Sequence, residues 1–298
     1  MTGLRRSLHF VPGISERMFN KSLTLPADSL ILDLEDSVSP DLKEAARAQV
    51  CDWLREADFA GREKLVRINA LDSPWGRQDL EAIMQSPPDG IVVPKITSLR
   101  DIEAIDRLLV ARELELDLDP VAVPLLVIGT EAPTAIFNLA SMLQHQRIEA
   151  VAWGAEDLSA ALGALAKRDA QGNYLEVFQL VRSLCLLAAV AADIQPIDSP
   201  FVDFRDEQGL CRECSLTASM GFTGKLTIHP AQIDIVNAAF TPTPERVEQA
   251  QELLQAFETA RQQGRMAFSF QGEMVDRPHL KSAQKTVERA RLIQEKTR

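Results

Sequence analysis

The chain has 298 residues, more than the ~100–200 of a typical domain but close to the ~250 that barrels of alternating strands and helices occupy as one unit. Its 46% hydrophobic and 25% charged residues suffice for a full core and exclude the disordered and collagen-like classes. A formal charge of −11, from 32 Lys+Arg against 43 Asp+Glu, together with only 5% aromatic residues, excludes a broad basic, base-stacking surface and hence nucleic acid as a partner.

Short β-branched apolar runs alternate with helical patterns from the amino end onward, as in repeated βα units around a parallel sheet. Eight runs are expected as strands: 7–11, 29–34, 64–68, 90–94, 122–128, 150–153, 195–197 and 225–228. ILDL, GIVVP and VPLLVI are apolar without alternation, as expected of strands covered on both faces. Ser39-Pro40, Ser73-Pro74 and Thr243-Pro244 each place an N-cap oxygen before a proline at a first helical position, and Ser98 with Asp101 resembles a capping box. The most apolar stretch, Ser183 to Ala192, is half the ~20 residues needed to cross a bilayer and reads as a buried helix, so no membrane partner is expected. Beyond the eighth run, Val247, Ala250, Leu254, Phe257 and Ala260 form one stripe on a long helix over 245–263, and a last helix is expected over 278–296.

Eight units, and no Gly-rich dinucleotide turn after the first strand, favour a closed (β/α)8 barrel with additional C-terminal helices over a doubly wound open sheet. The expected organisation is a catalytic barrel over 1–240 and a helical extension over 241–298 that packs on the barrel and on a neighbouring subunit. Cys51, Cys185, Cys211 and Cys214 include one CxxC with no second half to complete a zinc site. Few cysteines, and an amino end (MTGLRRSLHF) with two arginines but no apolar run behind them, suit the cytoplasm.

In such a barrel the active site lies at the carboxyl ends of the strands, so the polar residues after each apolar run are the candidates. They are Asp33, Glu35 and Asp36; Arg67 and Asn69; Lys95; Glu131; Glu156 and Asp157; and His229. No Ser or Cys nucleophile is among them, which speaks against covalent acyl transfer. Taken singly, each carboxylate is more often a helix-start residue favoured by the dipole. As a set, Glu131 and Asp157 at the ends of adjacent strands suit a hard cation that keeps several waters, the pattern of magnesium. The planar fork of Arg67 suits a substrate carboxylate. Together they describe a 2-oxo or 2-hydroxy acid site, with Glu35 and Asp36 behind it holding metal waters. Lys95 either balances these acids or merely ends a strand, and His229 is either a general base or a hydrogen-bonded structural residue.

RSLHFVPG (Arg6 to Gly13), RMFNK (Arg17 to Lys21), LDLEDSV (Leu32 to Val38), VRIN (Val66 to Asn69), VPK (Val93 to Lys95), TEAP (Thr130 to Pro133), WGAEDL (Trp153 to Leu158) and GKLTIHPAQI (Gly224 to Ile233) closely resemble, in order, the motifs of the citrate lyase β-subunit-like family. The resemblance runs from Arg6 to about Arg277. It implies a TIM barrel, a homotrimer or a hexamer made of two trimers, that makes or breaks a carbon–carbon bond between a 2-oxo acid and the acetyl part of a coenzyme A thioester with Mg2+. Glu131 and Asp157 match the family's magnesium ligands and Arg67 its substrate-carboxylate arginine. Arg6, Arg17 and Lys21 match a segment near the coenzyme A. GEMVDRP (Gly272 to Pro278) resembles the tail of malyl-CoA and citramalyl-CoA lyases, in which the aspartate matched by Asp276 reaches an adjacent subunit's site. Ala132 departs from the Thr or Ser of many relatives and lacks their hydroxyl. The expected activity is cleavage of a 3-hydroxy-3-carboxyacyl-CoA, such as (S)-citramalyl-CoA or malyl-CoA, to a 2-oxo acid and acetyl-CoA. The alternatives are a malyl-CoA thioesterase, a CoA-independent 2-oxo acid aldolase, and a citryl-carrier lyase subunit of a citrate lyase complex.

Overall fold

The computed structural model describes residues 3–262, 268–275 and 277–297. All eight apolar runs form strands, and they close in sequence order into one parallel barrel: β1 (Ser7–Pro12), β2 (Ser29–Asp33), β3 (Glu63–Arg67), β4 (Gly90–Val93), β5 (Leu125–Ile128), β6 (Ile148–Ala152), β7 (Gln195–Asp198) and β8 (Gly224–Thr227). β5 starts three residues later than the apolar run suggests. Pro124 has no N–H to give a ladder, and only its carbonyl takes part, accepting from Ile91 N at 3.0 Å.

Strand alternation sorts the side chains into two sets. Leu8, Ile31, Leu65, Val92, Ile197 and Leu226 pack inside the barrel, with Phe10 above them. The amino end is plugged by Arg5, 4% exposed, which donates to Glu63 at 2.6 and 2.9 Å, to Gln195 at 3.0 Å and to Glu149 at 3.0 Å. Around the barrel run α1 (Glu16–Ser22), α2 (Lys43–Glu56), α3 (Gly76–Ile83), α4 (Leu99–Glu115), α5 (Pro133–Met142), α6 (Glu156–Leu162), α7 (Glu176–Ala191), α8 (Glu207–Met220) and α9 (Gln232–Ala239).

The capping box forms, with Asp101 accepting from Ser98 N at 2.9 Å. Ser39-Pro40 opens only a 3-10 turn, Pro40–Leu42, ahead of α2. At Ser73-Pro74 the hydroxyl bonds back to Ala70 O at 2.6 Å and accepts from Gly76 N at 3.2 Å, so α3 begins after this turn. α7 buries one face only: Phe178, Val181 and Cys185 are covered, whereas Leu180 and Leu187 on the other are 58% and 66% exposed. No helix among the described residues is long and apolar enough to cross a membrane.

The chain divides into two compact units, Met1–Asn237 and Ala238–Arg298. In the second, α10 (Pro244–Gln262), capped by Thr243, packs on α11 (Arg277–Thr297). An antiparallel hairpin of β9 (Phe268–Phe270) and β10 (Glu273–Val275), absent from the expected elements, lies between them in sequence. Its two-residue turn, Gln271 and Gly272, has φ of 49° and 88°, the doubly positive geometry of a tight hairpin.

His9 points to the outer side of β1, 5% exposed, with Nδ1 3.1 Å from Thr227 Oγ1. Burial pushes its pKa down to about 4 despite the Thr227 bond. A depressed histidine contributes stability that is complete above about 6.5 and is lost as pH falls toward 4, on the order of 3 kcal/mol in all. Denaturant titrations at pH 7 and pH 4 should therefore show a smaller acid loss in His9→Gln than in wild type; equal losses would remove His9 from the account.

Candidate active site

The register of β2 on β3 sets Asp33 beside Arg67, each the last residue of its strand. Asp33 takes the guanidinium edge with both oxygens, from Nε at 2.6 Å and Nη2 at 2.8 Å, and the Phe10 ring lies 4.6 Å from the guanidinium carbon. The fork expected for a substrate carboxylate is thus already occupied by a buried partner. Nη1 remains, 2.9 Å from Glu35 and 3.7 Å from Asp36. Burial alone would favour a neutral arginine, but the Asp33 bonds and acidic neighbours outweigh it and raise the pKa. The β2–α2 loop is fixed from behind by Lys43, which donates to the carbonyls of Leu34 (2.8 Å) and Glu35 (2.7 Å) and to Asn69 (2.7 Å). Asn69, 3% exposed and also bonded to Asp79, is a brace of this loop and does not line the cavity.

Lys95 follows β4 with φ of +56°, a left-handed turn that aims its N–H at the Glu131 carboxylate. Its ammonium lies 2.6 Å from Glu35, 3.3 Å from Asp36 and 3.7 Å from Asp157. Glu131 is 5% exposed, and Asp157 stands in the first turn of α6. Gly154 leaves room for the Glu131 side chain, because a Cβ there would lie 2.8 Å from Glu131 Cγ. Thr130 Oγ1 accepts from Gly154 N at 2.9 Å and pins the same turn.

Burial first, and then the charges of Glu35 and Asp157, push Glu131 up to about 8, against the Lys95 N–H bond. Among the described residues, the five carboxylates Asp33, Glu35, Asp36, Glu131 and Asp157 face three cations, Arg67, Lys95 and, from behind the loop, Lys43, an acidic excess. Both Glu35 oxygens, buried and in ion pairs, lack a well-angled hydrogen bond. Such a set fits a hard divalent cation. Among the described residues no group of three His, Cys, Asp or Glu has metal-holding geometry, so the fit is to a cation that keeps several waters on two carboxylates.

Arg67, Glu131 and Asp157 line one cavity of about 390 Å³ at the carboxyl ends of the strands, with Asp33 and Asp36. The other candidates have other partners or positions. Glu156 reaches the cavity wall but pairs with Lys167. His229 stacks on Phe204 at 4.6 Å, outside the cavity lining. Arg6 is corrected by topology: it precedes β1, at the barrel end opposite the cavity, and its guanidinium and N–H meet Asp28 at 2.8–3.0 Å. Arg17 and Lys21 are exposed on α1, whose Met18 lines the cavity. Ala132 is the N-cap of α5 and has no side-chain acceptor, so the hydroxyl it lacks is a helix cap. Cys211 and Cys214 are unpaired thiols of α8. Asp276 lies outside the described residues. Sequence reasoning missed Phe10, Met18, Lys43 and Ser199; only the alternation of β1, which turns Phe10 inward with Leu8, offered a signal.

Residues 6–230 match the HpcH/HpaI aldolase/citrate lyase family. The chain belongs to that family. Membership makes it an enzyme of the carbon–carbon lyase and aldolase type. Among its relatives, (3S)-malyl-CoA thioesterase of Cereibacter sphaeroides is 36% identical over 290 residues, covering 97% of this chain and 95% of the relative. The mitochondrial citramalyl-CoA lyase of Rattus norvegicus is 36% identical over 307 residues, covering 98% and 88%. The solved structure of CitE from Mycobacterium tuberculosis, in complex with magnesium, acetoacetate and coenzyme A, superposes with a TM-score of 0.77 at 33% identity, covering 96% of this chain and 98% of that one.

Proposed function

We propose that the chain is a magnesium-dependent lyase that cleaves, or in reverse forms, a 3-hydroxy-3-carboxyacyl-CoA such as (S)-citramalyl-CoA or malyl-CoA, yielding a 2-oxo acid and acetyl-CoA. The observation that carries this reading is the meeting of Glu131, Asp157 and Arg67 on one cavity whose carboxylates outnumber its cations. The citramalyl-CoA lyase relative and the magnesium, acetoacetate and coenzyme A of the CitE complex support it.

Glu131 and Asp157 would hold the cation, with Glu35 and Asp36 ordering its waters. Magnesium bound there supplies Lewis-acid polarisation of the oxygen beside the scissile bond. Arg67, its other edge committed to Asp33, offers Nη1 to the 2-oxo acid carboxylate. Asp276, through the tail motif, is assigned to protonate the acetyl carbon in the site of an adjacent subunit of a homotrimer or hexamer. Arg17 and Lys21 are the local cations for coenzyme A phosphates. The four unpaired cysteines suit a cytoplasmic enzyme.

Incubation with malyl-, citramalyl- and citryl-CoA plus magnesium tests the reading. Release of a 2-oxo acid together with acetyl-CoA is expected. Free CoA without a 2-oxo acid would instead support the thioesterase reading, which the 36% identical Cereibacter protein favours. Activity on a substrate without thioester would point to an aldolase, and turnover by the isolated homo-oligomer would exclude a role as a passive subunit of a larger complex. Gly154→Ala should push Glu131 aside and weaken magnesium binding at least tenfold, about 1.4 kcal/mol, with the fold retained. Calorimetric titration with magnesium reads this directly, and unchanged affinity would contradict it.

A further inference from the structure

The charged lining residues of the cavity all lie on one arc of the barrel mouth, from Asp33 at the end of β2 to Asp157 after β6. The remaining arc, from β7 through β8 and β1 to α1, is apolar, with Pro200, Leu226, Ile228, Phe10 and Met18. One side chain interrupts it. Ser199 follows the last residue of β7 and continues the alternation that turns Ile197 into the lumen. It is 1% exposed, it lines the cavity, and its Oγ has no hydrogen-bond partner. Leaving a buried hydroxyl unpaired costs roughly 1–3 kcal/mol, so a persistent one calls for a reason.

Its position is set from behind. Asp198 Oδ1 accepts from Ser199 N at 2.9 Å and from the Trp153 indole at 2.6 Å, while Oδ2 accepts from Lys225 at 2.6 Å. Lys225 also donates to Glu213 at 2.9 Å, and Glu213 pairs with Arg168 at 2.7 Å. Asp198, Trp153 and Lys225 are each 0% exposed. This buried network touches no candidate reacting group, yet it ties the Ser199 backbone to the turn that leads into Gly154.

The geometry points to Ser199 as a catalytic residue whose hydroxyl donates a hydrogen bond to the thioester carbonyl oxygen of the acyl-CoA. The inference rests on the lyase reading. A carboxylate with its neighbouring oxygen belongs on the charged arc, so the thioester half extends along the apolar arc. Near the reacting carbons its carbonyl is the strongest acceptor there. The 3-hydroxyl releases its proton to solvent and its oxygen becomes the carbonyl of the 2-oxo acid as the carbon–carbon bond breaks. That bond's electron pair becomes the carbon–carbon double bond of the enolate, the thioester carbonyl π pair moves onto oxygen, and the acetyl carbon then takes up a proton. Ser199 keeps its proton and donates to the thioester oxygen as the charge grows. A donor held in place beforehand does this without reorganisation.

Ser199→Ala removes the donor and Ser199→Thr keeps it. With saturating magnesium and whichever CoA thioester the wild type cleaves, the alanine variant should lose about 10- to 100-fold in kcat with KM within about threefold. The threonine variant should keep at least about a third of wild-type kcat. Exchange of solvent deuterium into the acetyl-CoA methyl group, followed by NMR with magnesium and oxalate, should fall in parallel in the alanine variant, because enolate forms there without carbon–carbon cleavage. A purely structural role would lower the melting temperature and leave exchange per folded enzyme unchanged. An alanine variant within threefold of wild type in kcat and in exchange, or a folded threonine variant as slow as alanine, overturns the inference; a threonine variant that does not fold leaves the exchange rate of the alanine variant to decide. A wild type that cleaves none of the thioesters removes the lyase reading and this inference with it, a result distinct from an active wild type matched by Ser199→Ala.

Discussion

Glu131→Ala and Asp157→Ala each abolish magnesium-dependent turnover, by at least about a thousandfold, while the barrel stays folded. Each removes one of the two carboxylates proposed to hold the cation, and the polarisation a cation would supply there is worth several kcal/mol of barrier. The folded state does not need the Glu131 charge. Glu131 is raised to about 8, so ionising it in the metal-free protein is unfavourable. Its contribution is therefore destabilising in a way that grows as pH rises from about 4.5 through about 8, since the folded state holds the proton that the unfolded state releases. Metal-free Glu131→Ala should accordingly melt higher than wild type at pH 8 and show no such gain at pH 4.5. Melting curves at the two pH values, read beside activity, separate a lost ligand from a damaged fold. Full activity in either variant would defeat the metal assignment.

Arg67→Ala is expected to lose both activity and stability, and the two losses have different causes. Removing the guanidinium leaves Asp33, 1% exposed, and Glu35, 4% exposed, without their main partner, which costs roughly 3–5 kcal/mol for a broken buried pair. Arg67→Lys keeps a charge but cannot fill both Asp33 oxygens and still present a donor to the cavity. It should stay folded with kcat/KM reduced on the order of a hundredfold, the penalty of a misplaced positioning group. Asp33→Asn serves as the control: the arginine charge survives but its orientation is loosened, so KM should rise more than kcat falls. Co-refolding Arg67→Ala with Asp276→Asn subunits tests the shared site. Each mixed oligomer would contain sites with intact Arg67 facing intact Asp276, and activity should reappear; continued inactivity with folded subunits would contradict a site shared between subunits.

The barrel was legible because its signal is local and repeated. GIVV and LLVI carry no alternation, which marks strands covered on both faces, and each is followed by a helix-start pattern. Glu131 and Asp157 were legible for the same reason, since a barrel places residues that end consecutive strands at one mouth. What escaped depends on contacts between distant segments. That Asp33 fills the Arg67 fork follows from the β2–β3 register, which neither LDLED nor VRIN encodes alone. Arg6 was placed near the coenzyme A by motif resemblance, but it precedes its strand and so stands at the far end of the barrel. Ser199 sits in an unremarkable DSP sequence, and its significance arises only from the ion network behind it and the apolar arc around it. The β9–β10 hairpin had a readable cue, Gln271-Gly272 between alternating FSF and EMV, that the helical stripe of the preceding segment overshadowed.

The account depends on one divalent ion shared by two carboxylates. Crystals grown with manganese in place of magnesium, measured for anomalous scattering, locate such an ion without reference to activity. The predicted map has a single strong peak about 2.0–2.3 Å from one oxygen of Glu131 and one of Asp157. A peak bound elsewhere in the barrel, or a pair of carboxylates with no peak between them at saturating metal, would contradict it.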